Sequence, residues 1–196
     1  MNREQRFWYL DELVTQGIAA KLAFQALEMH LSNEQTKHSL LVWSSISSFL
    51  AHTAAISKIL FPPRNNGRDR ATELIEILQI PELTELRNRS GRDNVEHMDE
   101  RIDNWAARDA NHVISMVIPN REGYDYLCTP DKAVRRVLIQ EDLIYVSENS
   151  QGHRVETLLG ELLRESVIVL DSAHQQMLRD PPYHFLLVVA LANYAR

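Results

Sequence analysis

The sequence predicts a mainly α-helical protein, a helical bundle with a small β hairpin or insertion in its C-terminal half. Apolar residues recur at helical spacing over most of the first 108 residues. Short β-branched runs replace that spacing between about 113 and 147, and helical spacing returns after Gly152. A chain of 196 residues can form one good core, so we predict a single domain over residues 1–196 with the β insertion at about 113–147.

Two long helices are predicted in the first 60 residues. Apolar side chains at helical spacing indicate a first helix over residues 3–30. The tetrapeptide Ser32-Asn33-Glu34-Gln35 has the pattern of a capping box and predicts the start of the second helix. Leu22 is among the apolar residues expected on the inward side of the first helix, and Leu40 and Leu41 are among those expected on the inward side of the second helix. The second helix should end at Phe61-Pro62-Pro63, because consecutive prolines remove amide donors.

Shorter helices are predicted in the middle of the chain. Residues 64–68 are expected to form a polar loop, followed by a helix over 69–79 and another that opens at Pro81 and runs to Leu86. Helical spacing returns from Asp93 to about Arg108. Its apolar stripe is formed by Val95, Met98, Ile102 and Trp105. The three tryptophans, Trp8, Trp43 and Trp105, occupy apolar helical positions and are predicted to lie in the core.

The C-terminal half combines β-strand and helix signals. Residues 113–118 form a β-rich run, and residues 134–139 and 143–147 are predicted to pair as a hairpin across a polar turn. After Gly152, apolar residues that include Val155 and Leu158 predict a long helix, which stops before Pro181-Pro182. The apolar tail 183–194 is expected to be helical and to pack on the body.

Composition restricts the class of protein. A formal charge of −6 argues against a protein that coats nucleic acid with its whole surface, although a local basic site remains open. Cys128 is the only cysteine, so no internal disulfide forms and a reducing compartment is expected. The N-terminal residues lack the apolar core of a signal peptide, and no uninterrupted apolar run has the roughly 18 residues of a spanning helix. We predict a cytoplasmic protein that makes no membrane contact.

The sharpest chemical signature is Arg92-Asp93-Asn94-Val95-Glu96-His97. On a helix Asp93 and His97 are neighbours, because they are four residues apart. Histidine exchanges a proton near neutral pH, an acidic neighbour fixes its tautomer, and a guanidinium binds phosphate bidentately. A charged helix face is also commonly a solvated surface without function, and that alternative stays open. Further arginines precede the motif, namely Arg64, Arg68, Arg70, Arg87 and Arg89.

Arg92, Asp93 and His97 fill the RxxxxH pattern of the HEPN superfamily, which this stretch resembles. The wider run from Arg92 to Trp105 is similar to a group of uncharacterised bacterial proteins that read Arg-Asn-x-x-Glu-His-Phe-Asp-Glu-Arg followed by a tryptophan. The resemblance implies a helical bundle and a homodimer in which two motifs meet. It further implies RNA binding, and metal-independent endoribonuclease activity in catalytic members. His97 would then be the acid/base, Arg92 the phosphate clamp and Asp93 the orienting residue.

Two alternatives from other classes stay open. The first is a non-catalytic helical interaction or dimerisation protein, whose partner is a second copy, a cognate antitoxin or another protein. The second is a metal-binding helical-bundle enzyme, for which Glu34 with His38 and Asp171 with His174 are the candidate ligand pairs. Neither pair completes a ligand set, and the chain has no glycine-rich nucleotide loop, so we predict neither metal nor cofactor. Cys128 lacks a neighbouring base and is not expected to be a nucleophile.

Overall fold

The computed structural model describes residues 1–89, 98–107, 113–130 and 132–179. In these ranges the elements are α1 (Arg3–Ser32), α2 (Leu40–Leu60), a 3₁₀ turn (Asn65–Gly67), α3 (Arg68–Leu78), α4 (Thr84–Arg87), α5 (Met98–Ala107), β1 (Val113–Ile118), α6 (Arg121–Leu127), β2 (Ala133–Ile139), β3 (Ile144–Glu148), β4 (Arg154–Leu158) and α7 (Leu159–Arg179). The predicted fold class, mainly α with a small β element in the C-terminal half, is confirmed.

The helices α1 and α2 form the most extensive helix–helix contact among the described elements. His52 Nδ1 on α2 lies 2.7 Å from Gln16 Oε1 on α1, so this half-buried histidine is hydrogen-bonded. The second helix begins after Ser39, whose side chain accepts a hydrogen bond from the Leu41 amide. The capping box predicted at residues 32–35 is therefore wrong. Ser32 is the last residue of α1, and its hydroxyl donates back to the Glu28 carbonyl at 2.8 Å.

The main core lies where α1 meets both α2 and α7. Phe24 and Phe49 contact each other edge to face, with ring centroids 5.3 Å apart. At the crossing with α7, Gly17 lies directly against Leu170. Other side chains with almost no exposed surface in this core are Leu13, Leu27, Ile46, Leu50, Ile56, Leu60, Leu74 and Leu86. Burial of these side chains is the main source of the stability of the fold.

The sheet has the strand order β1-β2-β3-β4. The predicted hairpin is confirmed as the antiparallel pair β2 and β3, whereas β1 runs parallel to β2 and α6 connects the two. Because side chains alternate along a strand, the sheet has two apolar faces. Val117, Leu138 and Tyr145 belong to the main core, while a second core between the sheet and α6 contains Ile118, Tyr124, Cys128, Val134, Val137, Ile139, Ile144 and Val146.

The fourth strand was not predicted from the sequence. Val155 and Leu158 were expected on the C-terminal helix, but they lie in β4, which pairs antiparallel with β3. The strand passes directly into α7 at Leu159, with no glycine or proline between them, so the apolar spacing is continuous across the boundary. The sheet thus continues beyond the predicted insertion at 113–147. The predicted tail helix over 183–194 falls outside the described residues.

Several apolar residues that were expected in the core are exposed. Trp43 and Trp105 are buried as predicted, but Trp8 is 59% exposed. Leu22 on α1 and Leu40 and Leu41 at the start of α2 were also expected in the core and are exposed. A long helix that packs on two neighbours leaves part of its surface to solvent, and apolar residues there are not distinguished by their sequence spacing.

Among the described residues, α2 alone has the length and the apolar composition that a membrane-spanning helix needs. The buried share of that stretch is 56%, because α2 packs on α1 and contributes to the main core. Core helices of water-soluble proteins meet the same two criteria. The composition of α2 is therefore explained by core packing and is weak support for a membrane.

Candidate functional site

The predicted site residues, Arg92, Asp93 and His97, lie in the segment 90–97, outside the residues that the structure describes. The structure does describe the two elements that flank this segment in the chain. Upstream is α4 with the short stretch through Arg89, and downstream is α5, which spans Met98–Ala107.

The upstream flank is held by a buried carboxylate on α7. Glu165 is 3% exposed, and its two oxygens accept hydrogen bonds from the backbone amides of Thr84, Glu85 and Leu86 at 2.8–3.2 Å. These amides belong to the first turn of α4. The N–H groups of a first turn have no acceptor within their own helix and carry partial positive charge. The Ser57 hydroxyl also donates to the Leu86 carbonyl at 2.6 Å, which connects α4 to α2.

A second buried carboxylate holds the downstream flank. Glu148 at the end of β3 is 4% exposed and accepts a hydrogen bond from the Trp105 indole nitrogen at 3.1 Å. Its other oxygen accepts from the Val134 amide at 2.6 Å, so a single side chain joins α5 to two strands. The Asn104 amide donates to the Ser150 carbonyl at 3.3 Å and adds a further contact.

The face of α5 that points inward differs from the predicted apolar stripe. Trp105 is buried as expected, but Ile102 is 52% exposed and Arg101 is buried. Arg101 and Trp105 are one helical turn apart, so the indole bond to Glu148 turns this side of the helix towards the body. The Arg101 guanidinium lies 3.6 Å from the Glu100 carboxylate.

The arginines before the motif have different surroundings. Arg70 donates to the Tyr9 hydroxyl at 3.3 Å and to the Ile59 carbonyl at 3.2 Å, which makes it a structural link between α1, α2 and α3. Arg87 is exposed, and its guanidinium lies 5.1 Å from the centre of the Phe61 ring. Arg64 and Arg68 are exposed in and beside the 3₁₀ turn.

The side chains considered as a nucleophile or as metal ligands, Cys128 and Glu34, take part in contacts that stabilise the fold. Burial raises the pKa of the Cys128 thiol, so the reactive thiolate is disfavoured. Arg154 donates to the carbonyls of Cys128, Thr129 and Lys132, and so holds the turn that precedes β2. The ion pair of Glu34 with Lys37 at 2.6 Å holds the pKa of that carboxyl below its ordinary value. In the described ranges no three His, Cys, Asp or Glu side chains are grouped as metal ligands would be.

Comparison of the chain with protein-family models, with curated proteins and with solved structures gives no match.

Proposed function

We propose that this protein binds RNA at a site built from Arg92, Asp93 and His97 and cleaves it without a metal ion, as a homodimer in which the motifs of two copies meet. The observation that carries the proposal is the motif itself, an arginine and a histidine five positions apart with an acidic residue after the arginine. These residue types together supply proton transfer and phosphate binding.

Each residue has a distinct role in this proposal. His97 acts as the acid/base that activates the ribose 2′-hydroxyl. Arg92 binds the phosphate through its planar guanidinium and stabilises the charge of the phosphorane-like transition state. Asp93 accepts a hydrogen bond from the imidazole and fixes its tautomer, since residues four apart on a helix are neighbours.

The anchoring of both flanks supports a functional role for this segment. Catalytic groups need a well-defined geometry, which rigid neighbouring elements help to provide. Glu165 fixes α4 on the upstream side, and Glu148 fixes α5 through Trp105 on the downstream side. Buried carboxylates are costly unless fully hydrogen-bonded, so such anchors are specific features rather than incidental surface pairs.

The test compares RNA cleavage by the purified protein with cleavage by His97→Ala, in the presence of a metal chelator. We expect the wild-type protein to retain its activity with the chelator and the variant to lose it. The free energy of unfolding of the variant should fall by no more than about 1 kcal/mol, as for exposed sites. His153→Ala is the matched control, since His153 is exposed in the turn between β3 and β4 and should leave activity unchanged. Cleavage that persists in His97→Ala would contradict the proposal.

A non-catalytic interaction protein is the second candidate, and the exposed side of α2 favours it. Leu40 is 75% and Leu41 47% exposed, and the uncharged residues Ser44, Ser48 and Ala51 continue the same exposed side. A second copy, a cognate antitoxin or another protein would cover this side. Sedimentation of the wild type and of Leu41→Asp tests it: a dimer that dissociates in the variant, with RNA binding absent in both, would favour this function over the first.

A cytoplasmic location belongs to the same proposal. The thiol of Cys128 is buried and its partner in any disulfide would have to come from another molecule. A single buried cysteine is typical of proteins of reducing compartments.

A further inference from the structure

The two edge strands of the sheet differ in how they are protected. Among the described residues, β1 pairs with β2 alone and β4 with β3 alone, so each has one side without a strand partner. The strand β4 carries Arg154 and Glu156, and Glu156 pairs with Arg121 at 2.6 Å. The strand β1 reads Val-Ile-Ser-Met-Val-Ile and has no charged residue. Natural sheets discourage pairing between edges with charges, prolines or bulges, and the strand β1 has neither of the first two.

The strand β1 is also regular along its length. Its first four residues are exposed or half-buried. Ile114 is opposite Val134 and Ser115 is opposite Arg136, so the extra residue of the bulge between these strands belongs to β2. The side of β1 that faces away from β2, called the open edge below, therefore keeps an uninterrupted extended backbone.

The hydrogen bonds of β1 show which of its backbone groups point to the open edge. The Ile118 carbonyl accepts from the Gln140 amide at 2.8 Å, which directs the backbone groups of Ile118 towards β2. The backbone groups of successive residues in a strand point to alternate sides. Val113, Ser115 and Val117 therefore direct their N–H and C=O groups to the open edge. In the part of the chain that the structure describes, no strand pairs with these groups.

The spacing of these three residues is self-complementary. In an antiparallel pair centred on Ser115, Val113 lies opposite Val117 of a second copy, and Ser115 lies opposite its own equivalent. Each of these pairs exchanges both of its backbone hydrogen bonds. On the other face of the sheet, Met116 lies opposite Ile114 of the second copy, which covers a side chain that is 40% exposed in one copy. The two copies are then related by a twofold axis at Ser115, the commonest symmetry of homodimers.

Arg136 is the charged group that contacts Ser115, and its position is compatible with this pairing. Its Nε donates to the Ser115 hydroxyl at 2.9 Å, and its guanidinium lies 4.7 Å from the centre of the Trp43 ring. In the joined sheet the two copies of Arg136 are three strand spacings apart, roughly 14 Å. At that distance, charges that solvent reaches are largely screened at physiological salt. The contact with Trp43 holds each guanidinium within its own copy.

We propose that a second copy of this chain pairs with the open edge of β1, so that the sheets of the two copies join into one. This inference rests on the homodimer of the proposed function and names its interface. At a sheet edge, main-chain hydrogen bonds provide affinity and the alternating side chains provide specificity. Antiparallel pairing uses the open β1 edges of both copies, so assembly through this strand stops at the dimer.

The test places a charge at Ser115, the residue on the twofold axis, and measures assembly by sedimentation equilibrium. Ser115→Lys and Ser115→Glu each bring like charges face to face across the axis, so each should raise the Kd of the dimer by about tenfold or more. An equimolar mixture of the two variants should restore dimers, because opposite charges then meet on the axis. Ser150→Lys is the matched control, since Ser150 is exposed in the turn between β3 and β4 and should leave the Kd unchanged.

The outcomes separate this inference from the proposed function. A wild-type protein that is monomeric at about 100 μM, well above a micromolar Kd, overturns both. A wild-type dimer that Ser115→Lys leaves intact, or that the mixture of the two variants does not restore, overturns the inference alone. A dimer that dissociates in Leu41→Asp and persists in Ser115→Lys assigns the interface to the exposed side of α2 and also overturns the inference. Dimers restored by the mixture, together with undiminished RNA cleavage by His97→Ala, overturn the proposed catalytic site and leave β1 as the interface.

Discussion

At the scale of single residues, two glutamates hold the described elements on either side of the candidate motif in the chain, α4 and α5. Glu165 accepts from three backbone amides of α4, a helix of only 4 residues that has little stability of its own. Glu148 accepts from the Trp105 indole and from the Val134 amide. Neither glutamate could be identified from the sequence, because a glutamate that is buried and bonded to backbone has the same local sequence pattern as a solvated one.

Tyr145 provides a test of the main core at the same scale. It lies on β3 facing the bundle, and burial raises the pKa of its hydroxyl to about 12. The unfolded chain releases this proton near pH 10, whereas the folded protein keeps it until about pH 12. The folded state therefore binds more protons in this window, and its stability falls as pH rises from about 10 to 12.

We expect the free energy of unfolding, measured by urea titration at pH 8 and at about pH 11, to decrease in alkali. In Tyr145→Phe the decrease should be smaller, since that variant has no proton to lose at this position. Tyr126→Phe is the control because Tyr126 is 81% exposed and its removal should leave the alkaline decrease unchanged. An equal decrease in wild type and Tyr145→Phe would show that Tyr145 does not ionise as described.

At the scale of elements, the contact of α1 with α7 depends on the absence of a side chain at Gly17. A Cβ atom there would lie 2.8 Å from the Leu170 Cβ, closer than such atoms approach in folded proteins. Leu170 is itself 5% exposed and cannot move away without opening the core. Close approach of the two helices therefore requires glycine at this position.

Gly17→Ala should lower the free energy of unfolding by about 1–3 kcal/mol, because overpacking outweighs the helix propensity gained from alanine. Gly160→Ala is the matched control. Gly160 also lies in a helix, but no atom lies within 4 Å of a Cβ added there. The control should be neutral or more stable by up to about 1 kcal/mol. Urea denaturation of both variants provides the measurement, and a stabilised Gly17→Ala would contradict the packing described for α1 and α7.

Most helices and the first three strands could be predicted from residue periodicity. The start of α2 was wrong because Ser32 has the composition of a cap but bonds back to its own helix at Glu28. β4 was missed because its apolar residues continue into α7 without a turn signal. The inward face of α5 was wrong because a hydrogen bond between Trp105 and Glu148, from distant parts of the chain, orients the helix. Local sequence does not contain information of this kind.

At the scale of the whole molecule, the described helices and the sheet form two apolar cores that share β1, β2 and β3. The helical fold class and the hairpin could be predicted because burial imposes different spacings on helices and strands. The stacking of Arg87 on Phe61 could not be predicted, since it joins α4 to the end of α2, 26 residues earlier in the chain. The roles of Arg92, Asp93 and His97 remain predictions from the motif.

The central claim, that residues 92–97 contact RNA, is tested most directly by the imidazole resonances of the histidines. The protein is titrated with a single-stranded 2′-O-methyl RNA, which lacks the hydroxyl nucleophile and stays intact during the measurement. The resonance of His97 is assigned by its disappearance in His97→Ala. We predict that this resonance shifts on RNA binding while that of the exposed His153 does not. RNA binding that leaves the His97 resonance unchanged would contradict the proposed site.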